Sequence, residues 1–455
     1  MRQKMSGKFK SSLYIVLIVF FMVQGIVVAS ADQEAEISWY SSASEDNSTE
    51  IITDVYETVT FDVISDIESV SWKWTVGGKD LDNNNSLLNY TFEEYGVYNV
   101  SVSGTFEGGR TKTVNWNVTA VLRMSDCLNN TVELQKKPQR IISLSPSNTE
   151  ILFSLGLDSS IIGVTDYCNY PGEALDKDSV GSFTTPNVEK ILELNPDLIL
   201  ASYGNDMDVL VQLKSLNLTM FCLNPLDVED IVSSIDTVGV LTGEEQNASL
   251  ITDDMRRRID VIQNETDSSE GSHEKPGVLY VVWYDPMFVS GNNTYADDLL
   301  TIAGGVNIVS ELDGWQEVNI ESLIDKDPDV IICSGMGGGS YIIRDSIMND
   351  TILAQTSAVK NGRIYPIEDP NTIERAGPRI AIGLETFYDL LKESPDATEP
   401  KEDETQPEQI EQVQNDPEMP LETEDSYGIG SIATMILTIA VILLAIYMVQ
   451  VRRNG

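Results

Sequence analysis

Residues 187–200 read NVEKILELNPDLIL and residues 319–332 read NIESLIDKDPDVII, so the chain contains one sequence pattern twice. The first asparagine, the glutamate two positions later and the Pro-Asp pair keep the same register in both copies. Each copy predicts a short amphipathic helix capped by its asparagine, a break at Pro-Asp and a buried strand, with the glutamate in the first helical turn. A helix that leads into a buried strand is half of a βαβ unit, so each copy predicts a parallel sheet covered by helices.

The spacing of the two copies predicts two similar α/β lobes rather than one long sheet. The copies begin 132 residues apart (319 minus 187), whereas the repeats of solenoid proteins have periods of about 20–50 residues. One alternative stays open at this point. A helix followed by Pro-Asp and a strand is a common sequence pattern in α/β proteins and also recurs by chance.

The length and the charge of the chain limit its functional class. A chain of 455 residues is expected to contain two to four domains. Its formal net charge of -43 excludes a protein that binds nucleic acid through the phosphate backbone, because such proteins need a basic surface. We therefore predict no nucleic-acid partner.

Both ends of the chain carry apolar segments typical of export and membrane anchoring. Residues 1–31 are predicted to be a signal peptide, because basic residues precede an apolar run that ends in a small-residue cleavage site. Residues 428–450 are predicted to be a transmembrane anchor, because their apolar run can cross a hydrocarbon core of about 30 Å. Arg452 and Arg453 follow and predict a C-terminus inside the cell. The predicted location is the cell membrane, with a single span and an extracellular N-terminal ectodomain.

The composition of the exported part indicates an exposed surface protein. Asn-x-Ser/Thr sequons are spread between Asn47 and Asn349 and predict a glycoprotein. Residues 395–426 are rich in Glu, Asp, Pro and Gln and have no apolar period, which predicts a disordered acidic linker above the membrane. Sequons, acidity and a C-terminal anchor together suggest an archaeal type of cell surface.

Four cysteines, Cys127, Cys168, Cys222 and Cys333, fall in the exported part. In an oxidising compartment they allow three disulfide pairings, which the sequence leaves open. The pair Cys168–Cys222 is favoured because both residues belong to the first lobe. None of them forms a CxxC motif, so no metal or redox site is predicted.

Residues 37–121 form a β-rich module. Short runs alternate apolar and polar residues and are separated by Gly, Asn and Asp turns, which predicts a small Ig-like β-sandwich. The segments WKWTVGG at 72–78 and YTFEEYGVYNV at 90–100 resemble the turn and strand motifs of the PKD family of extracellular domains. The resemblance implies a spacer or adhesive module whose aromatic residues lie in its core.

Residues 138–394 form the main body, which is predicted to be an α/β pair of Rossmann-like lobes. The first lobe is assigned to residues 138–225, a helical connector to 226–268 and the second lobe to 276–394. The connector has apolar residues at a spacing of three to four, which predicts one or two long helices interrupted near Gly243. Because a helix is stiffer than crossing strands, we expect a long backbone helix that limits hinge closure.

Several sequence segments of the main body together resemble one known family. They are RIISLSPSNTEILFSLGL (140–157), IGVTDYCNYPGEA (162–174), NVEKILELNPDLIL (187–200), MFVSGNNTYADDLLTIAGGVNI (287–308) and TIERAGPRI (372–380). The chain resembles the periplasmic-binding-protein family with a helical backbone, which serves ABC importers of chelated metals such as cobalamin, ferric siderophores and haem. Three segments, DYCNYP, the surroundings of Trp315 and TIERAGPR, look most like the cobalamin-binding member.

The resemblance implies a ligand cleft between the two lobes. The aromatic residues that pack on the corrin are matched here by Tyr167 or Tyr170, Phe288 and Trp315. Arg375 matches a polar contact, and the family has an acidic residue four positions before it. Asn371 stands at that position, and Asp369 replaces it only if the loop shifts.

Two further sets of residues complete the predicted site. Tyr203 lies in the loop beyond the strand of the first repeat, and ligands of α/β proteins bind at the carboxyl ends of strands. Glu189 and Glu321, one in each copy of the repeat, match the paired glutamates that dock onto arginines of the membrane permease in the family. An alternative role for both glutamates is to complement the helix dipole at an exposed first turn.

We therefore predict an extracellular substrate-binding protein that captures a corrinoid between two lobes and delivers it to an ABC importer permease and its ATPase. A ferric siderophore or haem is the alternative ligand, and a structural or adhesive surface protein is the alternative of another class. No enzyme is predicted, because the chain has no HExxH, no GxSxG and a single histidine, His273.

The same shortage of histidine argues against a bare transition-metal site, which prefers imidazole or thiolate ligands. A ligand whose metal is already chelated needs only aromatic faces and a few hydrogen bonds. We therefore predict neither metal-binding residues nor a resident cofactor.

Overall fold

The computed structural model describes residues 37–43, 48–66, 69–268, 274–335 and 339–392. The chain divides into two compact units, of which the first comprises residues up to 93 with 97–120 and the second comprises 94–96 with 121 onward. The predicted signal peptide, acidic linker and transmembrane anchor, and also His273, lie outside the described residues. Within the described ranges, no helix combines the length and the apolar character needed to cross a membrane.

The first unit contains two β-sheets. Its strands are β1 (Ile37–Ser41), β2 (Glu50–Asp54), β3 (Thr58–Ser65), β4 (Ser69–Val76), β5 (Lys79–Leu81) and β6 (Leu87–Thr91), with β7 (Gly96–Phe106) from Val97 onward and β8 (Thr111–Ser125) as far as Ala120. One sheet has the order β1-β3-β6 and the other the order β2-β8-β7-β4-β5. Strand β3 pairs antiparallel with β1 and β6, and β4 pairs antiparallel with β5 and β7.

Aromatic side chains fill the core of this first unit. Phe61, Trp74 and Trp116 are completely buried. The two indole rings stack with their centroids 5.9 Å apart, and the Phe61 ring lies 5.1 Å from that of Trp116. Alternate residues of a strand face the same side of a sheet, which is why period-two sequences build this core. The assignment of the unit to the Ig-like PKD family stays a prediction.

The first lobe of the second unit is a parallel sheet of four strands. They are β10 (Ile141–Ser143), β11 (Ile161–Gly163), β12 (Leu198–Ser202) and β13 (Met220–Leu223), in the order β11-β10-β12-β13. Its helices are α1 (Pro146–Ser154), α2 (Val188–Leu194) and α3 (Met207–Ser215). Strand β9 (Thr131–Leu134) precedes this sheet and pairs with the end of β8. The residues 198–201 are completely buried, as expected of a strand covered on both faces.

The connector consists of two helices, α4 (Val228–Thr242) and α5 (Glu245–Ser268). The predicted interruption near Gly243 is confirmed, and α5 is the long helix of the connector. The break lies at Gly243, whose φ of +73° is in the left-handed region that glycine adopts at little cost. Helix α5 is fastened to the second lobe, because Arg258 forms two hydrogen bonds of 2.7 Å with the carboxylate of Glu385.

The second lobe is a mixed sheet. Its strands are β14 (Gly277–Trp283), β15 (Phe288–Ser290), β16 (Val306–Asn307), β17 (Trp315–Glu317), β18 (Val330–Cys333) and β19 (Ile364–Pro366), in the order β17-β15-β14-β18-β19 with β16 beside β14. Its helices are α6 (Tyr295–Ile302), α7 (Ser322–Lys326), α8 (Ser340–Asn349), α9 (Ser357–Lys360), α10 (Asn371–Glu374) and α11 (Ile380–Lys392).

The strands β14, β16, β18 and β19 are parallel, but β15 pairs antiparallel with β14 and with β17. The prediction of two α/β lobes is confirmed, while an all-parallel second sheet is wrong. The physical reason is the short connection between β14 and β15, since a parallel pair needs a crossover of a dozen or more residues.

The doubled segment builds the same anchor in both lobes. Asp197 accepts hydrogen bonds from the backbone N–H groups of Gln139 and Arg140, just before β10. Asp329 accepts one of 2.7 Å from the N–H of Gly277 at the start of β14. Each Pro-Asp aspartate therefore ties the repeated strand to the first strand of its own lobe.

The helices of the doubled segment differ at their starts. In α2 the Asn187 side chain accepts the N–H of Lys190, which is the predicted N-cap. In the second copy Asn319 accepts the N–H of Glu321 at 3.0 Å, and α7 begins at Ser322. Glu321 therefore precedes its helix, whereas a position in the first turn was expected.

All four cysteines are free thiols, so the favoured pair Cys168–Cys222 is not formed. The sulfur of Cys168 is hydrogen-bonded to the hydroxyl groups of Thr149 and Thr165 at 3.1 and 3.2 Å. Cys222 instead lies beside Cys127, whose backbone N–H donates to the Cys222 carbonyl at 3.1 Å. Membership of the same lobe did not make Cys168 and Cys222 neighbours.

Candidate functional site

The loops that follow parallel strands carry most of the predicted site residues. Tyr167 and Tyr170 follow β11, and Tyr203 comes directly after β12. In the second lobe, Arg375 follows β19 and the short helix α10. The carboxyl ends of parallel strands meet at one edge of each sheet, which is the usual ligand-binding edge of α/β proteins.

A buried carboxylate joins these edges. Glu150 lies on α1 of the first lobe and is only 3% exposed. Its Oε1 atom accepts hydrogen bonds from Nη1 of Arg375 at 2.8 Å and from Nη2 of Arg379 at 2.7 Å. Its Oε2 atom accepts one from Nε of Arg379 at 2.8 Å. Such charge-assisted hydrogen bonds compensate for taking the carboxylate out of water.

Arg375 makes further contacts with the first lobe. Its Nη2 atom donates to Oδ1 of Asn169 at 2.7 Å and to the backbone carbonyl of Tyr167 at 3.4 Å. The guanidinium is therefore bound to α1 and to the loop after β11 at once. Because that loop carries Tyr167 and Tyr170, Arg375 fixes the position of two predicted ligand-binding tyrosines.

The carboxylate partner of Arg375 is not the one expected from the sequence. Asp369 pairs with Nη1 of Arg379 at 2.7 Å, and Asn371 donates to the same aspartate at 2.9 Å. Glu150 takes the place of the missing acidic residue four positions before Arg375. Two carboxylates and two guanidinium groups thus form one neutral cluster.

The cluster perturbs the ionisation of its members. Hydrogen bonding to Glu150 raises the pKa of Arg379, and the nearby charges of Glu150 and Asp369 add to this effect. Burial would raise the pKa of Asp369, but the hydrogen bonds from Asn371 and the positive charge of Arg379 outweigh it and lower that pKa. These shifts keep both partners of the Asp369–Arg379 pair charged over a wide pH range.

Tyr170 adds an aromatic contact to the cluster. The guanidinium carbon of Arg379 lies 3.9 Å from the centroid of the Tyr170 ring, which is a cation–π arrangement. The Tyr170 side chain is still 46% exposed, and Tyr167 is 44% exposed. Both rings therefore retain surface that a ligand can cover.

Phe288 and Trp315 lie on the paired strands β15 and β17. Phe288 pairs with Glu317, and Ser290 pairs with Trp315. Residues directly opposite in an antiparallel pair share a face, so Phe288 and Trp315 are diagonal neighbours on one face of this strand pair. Both side chains are half-buried.

Trp315 rests on the buried Tyr280 and the half-buried Tyr295. The rings of Tyr280 and Tyr295 contact it edge-on, at centroid distances of 6.5 and 5.9 Å. Burial, followed by the negative charge of Glu374, raises the pKa of both phenols well above the ordinary value. These tyrosines stay neutral and give the indole a rigid support.

The loop that carries Tyr203 packs against an aromatic residue that the sequence did not reveal. A Cβ atom on Gly204 would lie 2.7 Å from the Phe183 ring, so this ring packs directly against the glycine that follows Tyr203. Phe183 is half-buried and belongs to the loop before α2. An isolated phenylalanine between two strands gives no signal of this contact in the sequence.

The predicted site residues therefore fall into three groups. Tyr167, Tyr170 and Arg375 share one cluster, Phe288 and Trp315 share the β15–β17 strand pair, and Tyr203 lies in the loop whose Gly204 packs against Phe183. Sequence reasoning missed four residues of the site: Asn169, Glu150, Arg379 and Phe183. The only available signal was that Glu150, Asn169 and Arg379 belong to the sequence segments by which the chain resembles a family.

A cavity of about 470 Å³ opens beside the Glu150 cluster. It is lined by Glu150, Phe153, Ser154, Asp158, Tyr170, Pro171, Glu173, Pro378 and Arg379. Tyr170 is the only predicted ligand-binding residue in this lining. The cavity is therefore distinct from the surface formed by Phe288 and Trp315, and the predicted cleft does not coincide with it.

Glu189 and Glu321 are both exposed. A helix that leads into a parallel strand runs antiparallel to it, so its start lies at the carboxyl edge of the sheet. This puts each glutamate on the edge of its lobe that carries the predicted ligand-binding loops. Among the described residues, no group of three or more His, Cys, Asp and Glu side chains is arranged to hold a metal ion.

Comparison with known proteins agrees with this two-lobed architecture. Residues 141–370 match the family model described as periplasmic binding protein, which is 230 of the 455 residues. An uncharacterized ABC transporter substrate-binding lipoprotein of Bacillus subtilis is 31% identical over 274 residues, covering 59% of this chain and 84% of that protein.

Two solved structures are similar in fold and sequence. A possible iron-binding (periplasmic solute-binding) protein of Staphylococcus epidermidis is 30% identical, with a TM-score of 0.50, and the match covers 57% of this chain and 100% of that one. The periplasmic vitamin B12 binding protein of Vibrio cholerae is 27% identical, with a TM-score of 0.51 and coverage of 56% and 97%. All three relatives are named as binding proteins, which confirms the prediction that the chain is not an enzyme. This chain belongs to the periplasmic binding protein family.

Proposed function

We propose that this chain is the substrate-binding protein of an ABC importer and that it binds a corrinoid between its two lobes. The proposal rests on the hydrogen bonds of Arg375. This residue belongs to the second lobe and binds Glu150 and Asn169 of the first lobe. This contact brings together the carboxyl edges of both sheets, where ligands of α/β proteins bind.

The residues at these edges suit a large ligand with flat apolar faces and a polar rim. Tyr167, Tyr170 and Tyr203 offer exposed ring surface from the first lobe. Phe288 and Trp315 offer half-buried rings from the second lobe. Aromatic side chains supply large contact areas, and a few polar groups fix the orientation of a ligand.

The similarity to the Vibrio cholerae protein, which is named as a vitamin B12 binding protein, supports the corrinoid as the ligand. A ferric chelate is the second candidate, because the Staphylococcus epidermidis relative is described as a possible iron-binding protein. Haem belongs to the same group of planar metal chelates. An adhesive surface protein is disfavoured, because that role needs no aromatic surfaces on two facing lobes.

We also propose how the chain works with its importer. Glu189 and Glu321 dock onto basic residues of the permease, one glutamate for each lobe, and the docked protein releases its ligand into the permease. The equivalent places of the two glutamates in the doubled segment support this role. The protein acts outside the cell, held at the membrane by residues 428–450, and the first unit serves as a spacer.

Equilibrium titration of the purified full-length chain tests the proposed ligand. Cyanocobalamin, a ferric hydroxamate and haemin are each added in turn, and intrinsic tryptophan fluorescence and titration calorimetry report binding. We expect saturable 1:1 binding of cyanocobalamin with a dissociation constant in the micromolar range or below, and weaker binding of the other two. Tighter binding of the ferric hydroxamate or haemin would overturn the corrinoid assignment, and binding of none would overturn the importer function.

A further inference from the structure

We infer that Cys127 and Cys222 are a disulfide-forming pair that fastens the β8–β9 turn to the first lobe. The two residues are 95 positions apart in the chain (222 minus 127), and the backbone N–H of Cys127 donates to the Cys222 carbonyl at 3.1 Å. Both belong to the second unit. They lie outside the ligand-binding surface, so the inference is independent of the proposed function.

The side chains of the two cysteines are also in contact. Besides the backbone hydrogen bond, the thiol of Cys222 is hydrogen-bonded to the side chain of Cys127. Because the two thiols lie side by side, a local adjustment of the two side chains is enough to form the bond, without a rearrangement of the fold.

The turn that carries Cys127 is held in place on both sides. The Oδ1 atom of Asp126 accepts the backbone N–H groups of Leu128 and Asn130 at 3.0 and 2.7 Å. Its Oδ2 atom accepts the backbone N–H of Cys222 at 3.4 Å, and Asp126 is itself buried. One carboxylate thus orders the turn and fixes it to strand β13. This order lowers the conformational entropy that bond formation would otherwise cost.

The two thiols have complementary environments. Cys127 is exposed, and Cys222 is buried. A hydrogen bond from the Cys222 thiol lowers the pKa of Cys127, against the opposing effects of burial and of Asp126. The same hydrogen bond, and then burial, raise the pKa of Cys222. The accessible cysteine is therefore the one that ionises first, as thiol–disulfide exchange requires.

The other two cysteines lack such an arrangement. Cys333 is buried in β18, and its burial raises its pKa to about 12. Cys168 is buried between two threonine hydroxyl groups, and burial raises its pKa as well. Both are expected to remain thiols under oxidising conditions.

The oxidant is a small disulfide such as oxidised glutathione. The Cys127 thiolate attacks one sulfur of the glutathione disulfide and releases one glutathione thiolate. The Cys222 thiolate then attacks the mixed disulfide at the Cys127 sulfur and releases the second glutathione. The two protons lost by the cysteines end on the two released thiolates, so two protein thiols are oxidised and one glutathione disulfide is reduced.

Thiol counting on the purified full-length chain tests this pair. The chain is equilibrated in a buffer of reduced and oxidised glutathione at an extracellular poise, denatured, and treated with a maleimide before mass spectrometry. We expect two reactive thiols for each chain and four after reduction, and a non-reduced peptide map that joins Cys127 to Cys222. Four thiols before reduction, or a bond between any other pair, would overturn the inference.

Stability measurements on two variants give a second test. Because the bond closes a loop of nearly 100 residues, reduction with dithiothreitol is expected to lower the Tm of the second unit by about 5–15 °C. Cys127→Ser changes an exposed residue, so it is expected to fold, and its Tm should no longer respond to dithiothreitol. Cys333→Ser is the matched control and should retain the full response. A Cys127→Ser protein that still responds like the control would contradict the assignment.

Discussion

The carboxylate of Glu150 and the guanidinium of Arg379 form a bidentate ion pair, with Nε–Oε2 and Nη2–Oε1 distances of 2.8 and 2.7 Å. The two residues are 229 positions apart and belong to different lobes. The same carboxylate also binds Arg375. One buried side chain of the first lobe therefore holds the second lobe through two arginines.

Replacing Glu150 by glutamine is expected to destabilise the second unit. The change removes the negative charge that faces two largely buried guanidinium groups, and breaking a buried ion pair in this way costs about 3–5 kcal/mol. Chemical denaturation measures the loss. Glu173→Gln is the control, because it removes an exposed carboxylate of the same cavity and should alter the free energy of unfolding by about 0.5 kcal/mol or less. Equal effects of the two changes would argue against the inter-lobe role.

Asp298→Asn is expected to stabilise the protein at pH 7 but not at pH 3. Burial, together with the nearby carboxylates of Asp227 and Asp297, raises the pKa of Asp298 despite a hydrogen bond from the N–H of Val228. Because the folded-state pKa lies above the unfolded value of about 3.9, ionised Asp298 lowers stability as the pH rises through the folded pKa. Below the unfolded pKa the carboxyl is protonated in both states, and the difference vanishes.

Thermal melting of wild type and Asp298→Asn between pH 3 and pH 8 measures the sign of this difference in stability. Asparagine keeps an oxygen that accepts the Val228 N–H, so the comparison isolates the charge. Asp260→Asn, at an exposed position of α5, should show no such pH-dependent difference. A variant less stable than wild type at pH 7 would contradict the prediction.

Trp315→Ala is expected to weaken binding of cyanocobalamin by about 10- to 100-fold, because loss of a central aromatic contact costs about 1.4–2.8 kcal/mol. Titration calorimetry gives the two dissociation constants. Tyr341→Ala removes an exposed ring of α8 in the same lobe and should leave affinity unchanged. The melting temperature of each variant, measured in parallel, separates lost binding from lost folding. Unchanged affinity of the Trp315 variant would remove the β15–β17 strand pair from the site.

The double variant Glu189→Lys with Glu321→Lys is expected to abolish ligand uptake and to leave ligand affinity intact. Charge reversal at both docking positions makes the contact with basic permease residues repulsive. Uptake of labelled cyanocobalamin by cells carrying the importer measures docking, and calorimetry measures binding. The matched control is Glu193→Lys with Asp325→Lys, which reverses one exposed charge further along each of the same helices. Equal uptake by both double variants would contradict the docking role.

The two lobes could be predicted from the sequence, because the patterns that indicate them are local. A capped helix, a Pro-Asp break and an apolar strand fit within 14 residues, and their repetition gave both lobes. The hydrogen bonds of Asp197 and Asp329 explain why the Pro-Asp pair keeps its register in both copies. The antiparallel orientation of β15 was not predicted, although the short connection between β14 and β15 excludes a parallel pair.

Only part of the candidate site could be predicted from the sequence. Phe288 and Trp315 come from local motifs, but the carboxylate that binds Arg375 lies 225 residues earlier in the chain. Spacing within a motif cannot identify a partner at that distance, so the local sequence offered only Asp369 as an acidic partner for Arg375. The cysteines illustrate the same limit. The neighbour of Cys222 is Cys127, which lies in a turn that precedes the first lobe.

Anomalous scattering from cobalt in crystals of the full-length protein grown with cyanocobalamin tests the central claim most directly. We predict one anomalous peak between the carboxyl edges of the two sheets, with the corrin ring in contact with Trp315 and Phe288. A peak in the cavity beside Phe153 and Pro378, or no peak at saturating cyanocobalamin, would contradict the proposal that the ligand is held between the two copies of the repeat.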